Sequence, residues 1–205
     1  GIKDVMGISD YYFTDDKLEY YKDANLLKGG LVYADMITTV SKSYAEEIKT
    51  LEYGEGLNGL LSARAGQLRG IVNGISYDEW NPETDKHLHE NYNAKNFASK
   101  KKLNKIYLQE LLNLPVDENK FTIGIISRLT DQKGFDIIAE AMERLCAGGA
   151  QIIVLGTGEE RYENMFRHYA WKYPDRVSAN IYFSNERSHL IYGACDAFLM
   201  PSRFE

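Results

Sequence analysis

The sequence has 205 residues and a mass of 23.4 kDa, which at roughly 150 residues per domain is room for one large domain or about one and a half ordinary ones. Its 44% hydrophobic and 26% charged residues and the lack of any apolar run near the ~20 residues of a membrane helix exclude disordered, collagen-like and membrane-spanning chains. Lys and Arg number 24 against 30 Asp and Glu, a net charge of −6, so a broad grip on nucleic-acid phosphates is excluded and any phosphate must be caught locally.

The chain opens with a Tyr-rich stretch (Tyr11, Tyr12, Tyr20, Tyr21). An apolar segment over 36–40 follows and reads as a strand. Ser43 and Glu46, three residues apart, form a candidate capping box for a helix through Ile48, and 57–68 is a second helical candidate. Ile71-Val72-Asn73-Gly74-Ile75 reads as a short strand with a turn, and a polar stretch rich in Asn, His and charge runs from Trp80 to Asn96. A domain boundary is expected near Gly70, dividing 1–70 from 71–205. Lys100-Lys101-Lys102 opens a helix halted before Pro115, and the run is expected to be a solvated helix face.

From there short apolar runs alternate with helical periodicity, the pattern of an α/β chain with a parallel sheet covered on both faces. The strands are expected at 121–126, 151–155, 177–183 and 197–200. Between them, Phe135, Ile138, Met142 and Leu145 recur at offsets of three and four and are stopped by Gly148-Gly149, which marks an amphipathic crossover helix. Further helices are expected at 161–173, ending before Pro174, and at 188–195. Cys146 and Cys195 sit in apolar helical stretches with no C-x-x-C spacing and no Cys/His cluster, so they are expected to be buried thiols, with no metal site and no disulfide scaffold. The first residue is Gly1 instead of Met, and the last strand lies five residues before Glu205. A fragment trimmed at both ends is therefore expected. No Ser-rich, acid-poor leader is visible, which points to a bacterial cytosol.

Two loops carry candidate chemistry. Gly156-Thr157-Gly158 joins a strand to a helix, where backbone N–H groups can approach a phosphate. Arg161 stands where a G-x-G-x-x-G fingerprint needs its third glycine, so a dinucleotide fold is disfavoured, and a tight turn using glycine freedom is an equal reading. Ser127-Arg128-Leu129-Thr130-Asp131-Gln132-Lys133-Gly134 lies at the C-terminal end of a strand, where open α/β sheets bind ligands. Arg128 and Lys133 flank its turn and can converge on a pyrophosphate, with surface cations on a loop as the plainer alternative.

The segment 124–134 together with Pro201-Ser202-Arg203-Phe204-Glu205 closely resembles the bacterial glycogen synthase and starch synthase family. Lys28-Gly29-Gly30-Leu31, Tyr33-Ala34-Asp35, Thr38 to Ser41, Gly56-Leu57, Ile71 to Ile75 and Trp80-Asn81-Pro82 match its pattern in order, so the resemblance spans nearly the whole chain. It implies a GT-B glycosyltransferase with paired Rossmann-like lobes, of which 1–70 would be the end of the acceptor-side lobe and 71–205 most of the nucleotide-sugar lobe. It also implies transfer of glucose from an ADP-glucose donor to the nonreducing end of an α-1,4-glucan acceptor, with retention, no metal and no cofactor. Neither a nucleic-acid nor a membrane partner is implied.

By position the resemblance assigns Arg128 and Lys133 to the donor phosphates, Glu205 to a place beside the donor sugar, and Asn73 to the sugar site. Gly156 and Gly158 correspond to the glycine turn at the nucleotide, and Phe183 to an aromatic against the adenine. The family's catalytic His and its N-terminal lysine-glycine-glycine loop are not matched here, so neither His189 nor Lys28-Gly29-Gly30 takes those roles, and this chain alone is expected to be inactive. Two alternatives remain: a GT-B transferase using UDP-glucose, and a nucleotide- or glucan-binding module without catalysis.

Overall fold

A computed structural model describes residues 5 and 7–203. The chain divides into two compact units, Gly1–Ile75 and Ser76–Glu205. Ile71–Ile75 thus stays with the first unit, where the Ile71 N–H donates to the Thr39 carbonyl at 2.8 Å.

In the first unit, β1 (Glu19–Tyr20) and β2 (Asp23–Ala24) make an antiparallel hairpin turned by Tyr21 and Lys22, both at positive φ (52° and 69°). Helix α1 (Leu26–Tyr33) is capped by the Asn25 side chain, which accepts from the Lys28 N–H at 2.9 Å. Its C-terminal carbonyls are collected by Arg64, which donates to Leu31, to Val32 at 3.0 Å and to Ala34 at 2.6 Å. Strand β3 (Ile37–Thr39) runs parallel to β4 (Leu68–Gly70), with α2 (Lys42–Glu47) and α3 (Asn58–Ala63) between them. Ile37, Ala45 and Leu68 form the small core.

Three expectations fail here for local reasons. Ser41, not Ser43, caps α2, because its extended backbone aims Oγ at the Tyr44 N–H, 2.9 Å away. Helix α3 stops at Ala63 instead of continuing to 68, since Leu68 is drawn into register with Ile37. The strand is therefore Leu68–Gly70 and not 71–75. It ends at a glycine because a Cβ on Gly70 would lie 2.2 Å from the Ser41 carbonyl oxygen.

In the second unit, α4 (Phe97–Leu111) precedes β5 (Thr122–Ile126), a 3₁₀ turn (Asp131–Lys133), α5 (Phe135–Ala147), β6 (Gln151–Leu155), α6 (Glu160–Lys172), β7 (Val177–Asn180), α7 (Asn185–Ala194) and β8 (Ala197–Phe198). The sheet is wholly parallel in the order β7-β6-β5-β8. One face, with Ile125, Ile152 and Val154, packs on Phe135, Ile138, Met142, Tyr162 and Phe166 of α5 and α6. The other, with Ile153 and Leu155, packs on Leu108 of α4 and on Leu190, Ile191 and Ala194 of α7. This is the α/β sheet with helices on both faces.

Strand β7 ends at Asn180 and not at 183, for its last partner is Leu155 and the Asn180 side chain turns back to donate to the Val154 carbonyl at 3.1 Å. Helix α7 starts at Asn185, ahead of 188, because Ser184 caps it through the Arg187 N–H at 3.1 Å. The Lys100–Lys102 run is half-buried and not a solvated face. Lys100 pairs with Glu90 at 2.6 Å, Lys102 with Glu118 at 3.0 Å, and Lys101 donates to the Tyr192 carbonyl at 3.1 Å. Cys146 and Cys195 are free and buried, and burial pushes the Cys195 thiol up to about 12. Among the described residues no helix is long and apolar enough to cross a membrane.

Candidate functional site

Strands β5, β6 and β7 advance to one side of β5 while β8 lies on its other side, so strand order reverses beside β5. Two loops leave the C-terminal edge there and run side by side. Leu129 N–H donates to the Thr157 carbonyl at 3.0 Å, and Glu159 N–H returns to the Leu129 carbonyl at 2.8 Å. This approach explains both glycines: a Cβ on Gly156 would lie 1.9 Å from the Ser127 oxygen, and one on Gly158 would lie 2.3 Å from the Leu129 oxygen. Both glycines are therefore required by the loop packing itself.

Side chains lock the same two loops. Asp131 accepts from Arg161 and from the Tyr162 hydroxyl, its N–H donates to Glu159 Oε1 at 3.1 Å, and Arg161 Nε donates to Glu159 Oε2 at 2.9 Å. The hydrogen bonds from Tyr162 and Arg161 hold the Asp131 carboxyl below the usual carboxylate range. Arg161, which breaks the dinucleotide fingerprint, is thus a loop tie. A third segment joins them. Gly134, at φ 72°, has room only for hydrogen where Pro201 crosses, since a Cβ would sit 2.1 Å from the Pro201 oxygen, and Arg203 N–H donates to the Gln132 carbonyl at 2.9 Å. The two segments that carry the family resemblance therefore meet at the start of α5.

Above these loops lies a cavity of about 310 Å³. Arg128 and Gly156 line it from the loops, Tyr182 and Phe183 from the segment after β7, Ser184, Asn185, Ser188 and Tyr192 from the start and inner face of α7, and Trp80 from the polar stretch before α4. Arg128 is exposed, and its guanidinium has no ion-pair partner among the described residues. Phe183 is 89% exposed, a bare ring at the rim. The first turn of α7 adds the partial positive charge of a helix N-terminus. A cation, aromatic faces and helix amides around one hollow suit a ligand with a flat ring and an anionic tail.

Of the residues expected at the site, Arg128, Gly156 and Phe183 line this cavity. Lys133 closes the 3₁₀ turn, half-buried and outside the lining, and Gly158 is committed to Leu129. Asn73 is exposed on the 71–75 segment of the first unit. Glu205 lies outside the described residues. Lys28 is buried in α1 and donates to the Glu19 carbonyl at 2.7 Å. Sequence reasoning assigned no role to Trp80, Tyr182 or Tyr192; only the Trp80-Asn81-Pro82 block gave a signal. Larger hollows exist, including one of about 490 Å³ in the first unit lined by Asp15, Asp16, Glu19 and Lys28. The smaller cavity is preferred because it sits at the C-terminal ends of β5 and β6, beside the point where strand order reverses. Among the described residues no group of three His, Cys, Asp or Glu side chains could hold a metal ion.

Residues 2–63 match the starch synthase catalytic domain family and residues 111–205 match glycosyl transferases group 1. The chain is 65% identical over 204 residues to glycogen synthase of Lachnospira eligens, covering 100% of this chain and 43% of that protein. It is 51% identical to glycogen synthase of Thermotoga petrophila, covering 97% of this chain and 41% of that one. Among solved structures, the catalytic domain of starch synthase IV from Arabidopsis thaliana bound to ADP and acarbose superposes with a TM-score of 0.90 at 32% identity, over 97% of this chain and 42% of that one. Anabaena HepE in complex with UDP, at 16% identity and a TM-score of 0.51 over 91% of this chain and 45% of that one, shares the fold alone. The chain spans 43% of the length of the first of these relatives.

Proposed function

The chain belongs to the glycogen synthase and starch synthase family, with its GT-B fold, and on that premise we propose that the cavity at the edge of the β5–β7 strands is the donor half of a retaining glucosyltransferase. The donor is ADP-glucose and the acceptor the nonreducing end of an α-1,4-glucan. The second unit, Ser76–Glu205, is the nucleotide-sugar lobe, and the first, Gly1–Ile75, belongs to the acceptor-side lobe, five residues beyond the boundary expected near Gly70. The carrying observation is that Arg128, Gly156 and Phe183, on three separate loops, converge on one cavity beside the point where strand order reverses. A relative of 32% identity with ADP bound supports the same reading.

In this reading Phe183 stacks on the adenine, Gly156 lets backbone approach the nucleotide, and Arg128 faces the diphosphate. As the glycosidic bond to phosphate breaks, charge grows on the departing ADP, and fixed cations stabilise it more than they stabilise the ground state. Lys133, set back on its 3₁₀ turn, supplies the second cation through its long side chain, while Gly158 keeps the two loops in register. Glu205 keeps the place beside the donor sugar that the resemblance assigns to it.

Calorimetric titration of the chain with ADP, ADP-glucose and UDP-glucose tests the assignment, with ADP and ADP-glucose expected to bind more tightly than UDP-glucose. Arg128→Ala should weaken ADP about 10-fold or more, the value of one hydrogen bond to a charged group. Phe183→Ala should weaken ADP about 5-fold and leave pyrophosphate unchanged, because stacking acts on the base. Tighter UDP-glucose binding would favour the UDP-dependent alternative, and equal losses for ADP and pyrophosphate would remove Phe183 from the base site.

A further inference from the structure

His189 lies on α7 with only 2% of its surface exposed, beneath the cavity wall. Its Nδ1 is 2.6 Å from Asp85 Oδ2, and the two side chains are 1% and 7% exposed. An ionised carboxylate accepts, so Nδ1 carries the proton. Trp80 lies flat on the other side of the imidazole, with ring centroids 4.0 Å apart and planes 6° from parallel, and meets Tyr192 edge-on at 5.5 Å. Both Trp80 and Tyr192 line the donor cavity, whereas His189 does not. His189 Nε2 is buried and has no hydrogen-bond partner among the described residues, and with Asp85 and His87 the ring lines a neighbouring hollow of about 420 Å³.

The stretch that carries Trp80 has no helix or strand of its own between Ser76 and Asn96. It is held by local turns, in which Trp80 N–H donates to the Ser76 carbonyl at 2.9 Å and Asp85 N–H to the Asn81 carbonyl at 2.9 Å, and by side chains. Asp85 uses its second oxygen for the His87 N–H at 2.9 Å, and its carbonyl accepts from Asn91 Nδ2 at 2.8 Å. Leu88 fills the space over Gly193 of α7, where a Cβ would come within 2.4 Å of Leu88 Cδ2. The turn fixes the Trp80 backbone, whereas the orientation of its indole depends on what the ring stacks upon and on what fixes that partner.

We infer that Asp85 and His189 are positioning residues that set Trp80 as a wall of the nucleotide cavity, Asp85 orienting the imidazole and the imidazole seating the indole. The inference rests on the donor-site reading for its consequence and not for its geometry. Removing Asp85 should free the imidazole to turn, unseat Trp80 and weaken ADP about 3- to 10-fold, the range of an aromatic contact.

The test is a double-mutant cycle with ADP as the probe, on the chain carrying Asp85→Ala, Trp80→Ala or both, alongside Trp80 emission. Trp80 and Trp171 are the two tryptophans of the chain, so in a Trp171→Phe background emission reports Trp80 alone. If Asp85 acts through Trp80, its removal weakens ADP with Trp80 present and by less than about 1.5-fold without it, a coupling that a general loss of stability does not produce. Emission should move to longer wavelength as the indole loses its stacked partner. Equal losses in both backgrounds, or unmoved Trp80 emission, would overturn the inference. Should Asp85→Ala fail to fold, His189→Asn keeps a donor for Asp85 while deleting the ring beneath Trp80, and the same two readouts decide. A parent chain that binds no ADP would count against the donor site, and Trp80 emission would still judge the latch.

Discussion

The sheet of the second unit and the irregular stretch 76–96 that lies against it in the same unit are built on opposite principles. In the sheet, β5 and β6 exchange a continuous ladder from Thr122↔Gln151 to Ile126↔Leu155, and Ile125, Ile152, Ile153 and Val154 are fully buried. In the stretch, order comes from isolated backbone turns, such as Tyr92 N–H to the Pro82 carbonyl at 3.1 Å, and from side chains gripping backbone: Asn104 of α4 accepts from the Glu90 N–H at 3.0 Å and donates to the Glu90 carbonyl at 2.8 Å. The first design spreads its stability over many apolar contacts and resists local change. The second concentrates it in a few polar contacts, and such regions open locally while the rest stays folded.

The sharpest break in this contrast is Phe166→Ala. Phe166 is fully buried and meets Phe135 edge-on at 5.8 Å, within the cluster that includes Ile125 and Val154. Its truncation should cost about 3–5 kcal/mol, a large share of the ~5–15 kcal/mol that holds a domain. Chemical denaturation should show the whole sheet unfolding earlier in one step, and loss confined to α6 would contradict a shared core.

Asn104→Ala should do less and do it elsewhere. It deletes two hydrogen bonds to the half-exposed Glu90 backbone, which water can partly satisfy, and a third to the Lys100 carbonyl at 3.1 Å, which places the cost at about 2 kcal/mol. Amide exchange should quicken across residues 82–96 and stay unchanged at Ile123 and Ile153. Faster exchange in the sheet would mean that the stretch is part of the cooperative core.

The same division marks what the sequence made legible. Strand β6 was readable to its last residue because a strand buried on both faces is a continuous apolar run. Helix α5 was readable from the offsets of Phe135, Ile138 and Met142. Strand β4 was not, because Leu57, Leu60, Leu61 and Leu68 fit a helical count and only pairing with Ile37 decides otherwise. That Arg128, Gly156 and Phe183 line one cavity agrees with strand-end position and resemblance. Trp80 was not legible, for its place depends on an Asp85–His189 contact spanning 104 positions, and no local pattern encodes such a partner. The role of Arg161 was hidden for the same reason, its partner Asp131 lying 30 positions earlier.

The smallest expected effect concerns the loop tie at the sheet edge, which joins the two designs: loops leaving a rigid sheet, clasped by exposed polar groups. Asp131 accepts from the Tyr162 hydroxyl first and from Arg161 second, and both lower its pKa from the ordinary 3.8. A folded-state value below the unfolded one means that the stabilisation is complete above the unfolded value and fades as pH falls through the folded one. Tyr162 runs the other way: burial first, and then the bond to Asp131, push its phenol from 10.0 up to about 12. A folded-state value above the unfolded one is stabilising below pH 10.0 and is lost as pH rises through about 12. The clasp is therefore at full strength between roughly pH 4 and 10 and loosens on both sides. Asp131 and Arg161 are each 57% exposed, so solvent and salt screen the charge part of the clasp and its effect is local. The observable is the ratio of amide exchange rates between Asp131→Asn and the parent chain at Leu129 and Glu159, the two amides that bridge the loops; taking a ratio cancels the intrinsic pH dependence of exchange. The ratio should be a few-fold at pH 7, shrink with added salt, and approach one as pH falls well below 3.8. A ratio near one already at pH 7 would show that the loops are held by the Leu129 backbone pairing and the glycine close approach alone, with the carboxylate idle.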